Sequence, residues 1–153
     1  MIFISHRGNL NGPNEERENS LAYIDEAINK GYDVEVDLRS KNGFLYFGHD
    51  TPDHEVNPMW IEKRKDNLWL HIKDYDSLVW VSENTTALKY FCHESDRYTL
   101  TSNGYIWSHD LQNRMTKKCI VPLLNKNQVE SYKQIEFYAV CSDYIYDCER
   151  CLK

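Results

Sequence analysis

Glycine and proline are scarce in this chain, six and four among 153 residues. That excludes collagen-like, linker-like and low-complexity architectures. Basic charge is also short: 18 Lys and Arg face 24 Asp and Glu, for a net charge of −6 and a pI near 5.5. A nucleic-acid backbone partner wants the opposite balance. No apolar run approaches the roughly 20 residues of a membrane span, and mean hydropathy is −0.69. Met1-Ile-Phe-Ile leads directly into His6-Arg7, leaving no room for a signal peptide; a cytoplasmic location is expected. The five cysteines are an odd number, so reduced thiols are the default. Cys148-Glu-Arg-Cys151 has CxxC spacing with Cys141 upstream, but no second CxxC or His pair completes a zinc or redox site. Structural thiols are expected there.

What the chain has in abundance is aromatic residues, 11 Tyr and 4 Trp among them, as befits a folded core rather than disorder. Residues 1–153 are expected to form a single domain. It is short for an eight-unit barrel, which usually needs about 250 residues.

Asp33-Val-Glu35-Val-Asp37-Leu38 alternates with period two. It reads as a strand with Val34, Val36 and Leu38 on one face and Asp33, Glu35 and Asp37 on the other. Glu35 and Asp37 then lie about 7 Å apart along one strand face. An edge strand with an acidic, solvated face is one reading. The other is a carboxylate pair held by a hard divalent cation, since buried carboxylates side by side repel and lose hydration. Asn42-Gly43 signals a two-residue hairpin turn, and Phe44-Leu-Tyr-Phe47 a returning strand. That register brings His49 back beside Val36 and Asp37, which favours the cation.

Ile2-Phe-Ile-Ser5 reads as a buried strand ending in His6-Arg7-Gly8. Ser20 is a candidate helix cap, Leu21, Ile24, Ala27 and Ile28 form a helical stripe, and Gly31 ends it. A right-handed crossover to a parallel strand follows. Leu68 to Lys73 is a strand with Trp69, His71 and Lys73 on one face, and 76–88 holds a short helix. Strand-like runs recur at 90–93, 98–107, 119–123 and 137–141, while 108–118 is too short and polar for a full crossover helix. Titratable groups fall at strand C-terminal ends: His6 and Arg7, Asp37, His71 and Lys73, His93 and Glu94. Parallel α/β folds build their sites there.

His6-Arg7-Gly8, Glu18-Asn19-Ser20, Gly31-Tyr-Asp-Val-Glu35-Val-Asp37, Asn42-Gly43 and His49-Asp50 stand in the order and spacing of one family. On them the chain resembles the glycerophosphodiester phosphodiesterases, within the phosphatidylinositol-phospholipase-C-like phosphodiesterases. The resemblance weakens beyond residue 50: Leu70-His71-Ile72-Lys73 falls where the family has Glu-Ile-Lys, and Cys141-Ser142-Asp143 looks like the segment that closes the family barrel.

The resemblance implies an α/β fold, a small, trimmed TIM-barrel-like domain with reduced outer helices. It implies a divalent cation (Mg²⁺ or Ca²⁺, with Mn²⁺ as a further candidate) at Glu35 and Asp37. His6 and His49 would be the acid/base pair, Arg7 and Lys73 the phosphate ligands, and a small soluble phosphodiester the substrate. In the family a neighbouring substrate hydroxyl attacks first and water then opens the cyclic phosphate. His71 replaces an expected carboxylate. The cation would then be held by two carboxylates and water, by His71, or by Glu18 or Glu94 from a neighbouring strand end, with His93 a further site candidate. A His ligand moves preference from Ca²⁺ towards Mn²⁺ or Zn²⁺; lost metal affinity is the other consequence. The alternative function is therefore a catalytically degenerate relative that binds a phosphorylated ligand or a protein partner. A secreted lipase or toxin is disfavoured by the lack of a signal sequence and disulfide pattern. The sequence carries no signal for oligomeric state.

Overall fold

The structure, a computed structural model, describes residues 1–84, 87–110 and 115–153. Strand β1 (Ile2–His6) leads through a loop to helix α1 (Leu21–Asn29), and β2 (Asp33–Lys41) returns parallel to β1. Ser20 sits at the N-cap without a side-chain capping bond. Gly31, at φ +90°, ends the helix as expected from its place after the apolar stripe. The crossover packs Ile24 and Ala27 of α1 with Val34, Val36 and Leu38 in the outer core.

Beyond β2 the chain folds into the antiparallel strands β3 (Phe44–Phe47) and β4 (His54–Val56), then the short helix α2 (Pro58–Glu62) and β5 (Leu68–Ile72). Leu38 pairs with Phe47, and the Gly48 N–H donates to the Asp37 carbonyl at 3.0 Å. This is the register of an Asn42-Gly43 turn. Strand β5 pairs parallel with β2 along Val34 to Leu38. β2 therefore has neighbours on both sides, and the reading of an acidic, solvated edge does not hold.

Helix α3 (Tyr75–Glu83), capped by the Asp74 side chain on the Ser77 N–H, leads to β6 (Lys89–Cys92). Residues 85 and 86, within the segment expected to hold this helix, lie outside the described residues. The run at 98–107 is not one strand but two. β7 (Tyr98–Leu100) and β8 (Ile106–Ser108) pair antiparallel across a turn with Gly104 at φ +82°. Alternation alone hides such a break, because both arms keep period two. The expectation for 108–118 falls partly on residues 111–114, outside the described ones. β9 (Cys119–Pro122), a 3₁₀ segment at Lys126–Tyr132, β10 (Ala139–Ser142) and α4 (Ile145–Leu152) complete the chain.

The parallel strands run in the order β6-β5-β2-β1-β10-β9-β8. The two ends of this curled sheet meet. The Ser102 N–H donates to the Tyr90 carbonyl at 2.8 Å, and the Ser102 hydroxyl donates to the Leu88 carbonyl at 2.9 Å. Inside lies a second core of Ile4, Trp69, Phe91, Trp107, Ile120, Ala139 and Cys141. Phe91 stacks on Trp107 with ring centres 4.2 Å apart. The strands thus carry apolar residues outward to the helices and fill the interior with aromatics. This is a TIM-barrel-like α/β fold. Cys141 faces this inner core and Cys148 the outer one, and all five cysteines are free thiols.

Gly48 marks where the chain must leave the hairpin. A Cβ there would stand 2.0 Å from the Thr51 carbonyl oxygen. Gly48→Ala should therefore cost roughly 1–3 kcal/mol, read as a lower denaturant midpoint. A neutral result would remove the tight turn as the device that places residue 49.

Candidate active site

The inward positions of β2 continue upward from the aromatic interior as Glu35 and Asp37, which are 2% and 0% exposed. His71 stands beside them on β5, with Nδ1 3.4 Å from Glu35 Oε1 and 3.3 Å from Asp37 Oδ1. Donor atoms of the three residues all lie within 4.8 Å of one another. Glu35 Oε2 is buried without a hydrogen-bond partner, an arrangement that costs desolvation energy unless a cation compensates.

The other ligands of the pair are fixed. Asn19, in the left-handed region at φ +62°, donates from Nδ2 to Asp37 Oδ2, and its Oδ1 accepts from the Asp37 N–H, both at 3.0 Å. Arg7 Nε lies 2.9 Å from Asp37 Oδ2, and Arg7 Nη1 donates to Glu18 at 3.1 Å. Gly8 must be glycine for this loop to close: a Cβ would meet the Tyr23 ring at 2.7 Å. Lys73 Nζ stands 3.9 Å from Asp37 Oδ1. Burial opposes Asp37's charge, but the His71 bond, Arg7 and Asn19 outweigh it and hold its carboxyl well below the usual range.

His6 ends β1, with Nδ1 2.7 Å from Asp143 Oδ1 and Nε2 3.8 Å from Glu35 Oε2. Asp143 follows β10 and is held in turn by Asn9, whose Nδ2 lies 2.7 Å away. Burial pulls the His6 pKa down. The Asp143 bond and the charges on Glu35 and Asp143 overcome this, and the net direction is up. With Nδ1–H on Asp143, Nε2 is the nitrogen left to act in the cavity.

A cavity of about 210 Å³ opens over these groups, lined by His6, Glu35, His71, Lys73, His93 and Glu94 among others. A neighbouring acidic cavity of about 500 Å³ shares His6, Arg7 and His49 with it. His49 stands at this junction, on the rim. Its side chain is 42% exposed and its Nδ1 lies 2.9 Å from Asp50 Oδ1.

The candidates named from sequence thus converge in one place, with distinctions. His6, Arg7, Glu35, Asp37, His71 and Lys73 form the buried centre. His49, His93 and Glu94 line its mouth. Glu18 bonds Arg7 and Asn9 (2.8 Å) and braces the loop. Sequence reasoning gave no role to Asn9, Asn19, Asp143 or His109. Asn19 and Asp143 stood inside quoted motifs, but nothing local marks them as partners of Asp37 and His6.

No protein-family model matches the chain, and no curated protein matches it. Among solved structures it is similar to the crystal structure of a glycerophosphodiester phosphodiesterase from Agrobacterium tumefaciens strain C58. The TM-score is 0.60, over 99% of this chain and 98% of that one, at 15% identity. The chain shares the TIM-barrel-like fold of that enzyme. In this fold the cluster at residues 35, 37 and 71 occupies the C-terminal ends of parallel strands, where TIM-barrel enzymes place their sites. Among the described residues no helix is long and apolar enough to cross a membrane.

Charge in the centre is out of balance. Among the described residues, Glu18, Glu35, Asp37 and Asp143 are paired with two permanent cations, Arg7 and Lys73. Two negative charges remain. Protonation of His6 and His71 neutralises them, and so does a single divalent ion with both imidazoles neutral. The residues present therefore fit a divalent cation.

Proposed function

We propose that this protein is a metal-dependent phosphodiesterase that hydrolyses a soluble glycerophosphodiester-like substrate, its 153 residues acting as one domain in the cytoplasm. What carries the reading is the buried carboxylate pair Glu35 and Asp37, with ligand atoms within reach of His71 and beside a histidine oriented by Asp143.

Glu35, Asp37 and His71 would hold the cation; Mg²⁺ and Ca²⁺ suit the two carboxylates, and the imidazole favours Mn²⁺. When bound, the ion would draw negative charge from a phosphoryl oxygen. The chain's own residues do the rest. Arg7 and Lys73, at the ends of β1 and β5, bind the phosphoryl oxygens and stabilise charge in the transition state. His6, with Nδ1 anchored, exchanges a proton at Nε2 with the attacking or leaving oxygen, and His49 serves the opposite side. Attack by a neighbouring substrate hydroxyl, followed by hydrolysis of the cyclic phosphate, is the sequence the resemblance implies. A screen of soluble phosphodiesters with Mg²⁺, Ca²⁺ or Mn²⁺, reading phosphomonoester and cyclic phosphate, tests the proposal.

One observation favours a second reading. His71 already bridges both carboxylates, and although burial opposes its charge, their bonds raise its pKa to about 9. A protonated His71 in the cation's place would leave a phosphate-binding protein without catalysis. Melting separates the two. At a hundredfold excess over Kd, the ion should add about 2.7 kcal/mol, on the order of 5–10 °C for a chain this size. Glu35→Gln/Asp37→Asn should abolish that increment. A wild type indifferent to every cation favours the binding protein.

A further inference from the structure

His93 and His109 follow β6 and β8 by one residue each and face one another across the mouth of the fold. Their Nε2 atoms lie 3.2 Å apart, with rings tilted by 58°. This distance is at the long end for a hydrogen bond. It is close to the roughly 3.3 Å that separates two nitrogens bound at about 2.0–2.1 Å to one tetrahedral ion. His93 is also held in place before any ligand arrives. It stacks on His71 at 4.6 Å and 14°, and on Phe91 at 5.8 Å and 11°. Glu94, the next residue, lines the same cavity.

We propose that His93 and His109 form a second cation site, for a borderline transition metal such as Zn²⁺ or Co²⁺, with solvent or a substrate oxygen completing the ligands. Two imidazoles select such ions over Mg²⁺ and Ca²⁺, which want oxygen. The site has a structural consequence. β6 and the β7–β8 hairpin flank the seam where the curled sheet meets itself, and Ser102 and Thr99 tie that seam largely through side-chain bonds to Leu88, Tyr90 and Cys92. An ion on His93 and His109 clamps this seam above those bonds. It is an exchangeable site, because His93 Nδ1 is buried with no acceptor to anchor it; such anchoring is worth about 10–100-fold in affinity.

The inference is independent of the phosphodiesterase reading, and one Co²⁺ titration series keeps the two apart. Wild type, His109→Ala and Glu35→Gln/Asp37→Asn are titrated separately, with bound Co²⁺ counted by calorimetry and visible absorption. His109 is exposed, so its alanine variant should fold normally. The wild type should take about two ions per chain, and each variant about one. A His109→Ala protein that binds as much Co²⁺ as the wild type overturns the proposal and leaves the contact as a hydrogen bond. Loss in His109→Ala with none in Glu35→Gln/Asp37→Asn supports this site and counts against the carboxylate one.

Discussion

His6→Ala should lower kcat/KM by roughly 10²–10⁴, the range for a positioned proton-transfer group, while leaving the melting temperature nearly unchanged. The residue ends β1 above the aromatic interior, and its Nδ1 bond to Asp143 orients Nε2 rather than joining elements of the core. Asp143→Asn should act through it. Removing the charge that raises the His6 pKa moves the limb of the pH profile set by His6 to lower pH. A merely structural Asp143 would lower stability and leave that limb in place. His49→Ala, at the exposed rim, tests the second half of the acid/base pair; the intact pair gives a bell-shaped profile between roughly pH 5 and 9. Near-full kcat in either alanine variant contradicts the two-histidine mechanism.

Metal affinity should rise about tenfold per pH unit up to about pH 9, a gain of about a hundredfold between pH 7 and 9. The cause is competition at His71, whose pKa is raised to about 9 by Asp37 and Glu35 against the opposing effect of burial. A cation that takes its Nδ1 must displace the proton. The same shift sets a stability window with a definite sign. A pKa above the ordinary 6.5 makes protonated His71 stabilising below about pH 6.5, and this is lost as pH rises through about 9. The metal-free protein should therefore melt lower at pH 9 than at pH 6.5, and the metal-loaded protein should not follow. Calorimetric titrations across this range in buffers of different ionisation enthalpy count the proton released. An affinity flat from pH 7 to 9 means that His71 is not a ligand.

Much of the centre could be read from residues 6 to 50, because its geometry is local. Alternation puts Glu35 and Asp37 on one face, and a two-residue turn sets the register of the returning strand. The hairpin did not carry His49 into the interior, since Gly48 turns the chain away one residue after its bond to Asp37. What sequence could not show depends on distant pairing. Asp143 reaches His6 across 137 residues of chain, only because β10 pairs with β1. His109 meets His93 only because the segment at 98–107 folds back as a hairpin. The depth of burial of β2 follows from β5 and β1 lying on either side of it, which no periodicity within β2 reveals.

The most direct measurement is turnover of a glycerophosphodiester by purified protein, with and without chelator, beside Glu35→Gln/Asp37→Asn. Phosphomonoester or cyclic phosphate should appear with Mg²⁺, Ca²⁺ or Mn²⁺, vanish with chelator, and fail to return in the variant. Release of neither product with any of these cations, or equal release by the variant, would contradict a metal-dependent phosphodiesterase built on this carboxylate pair.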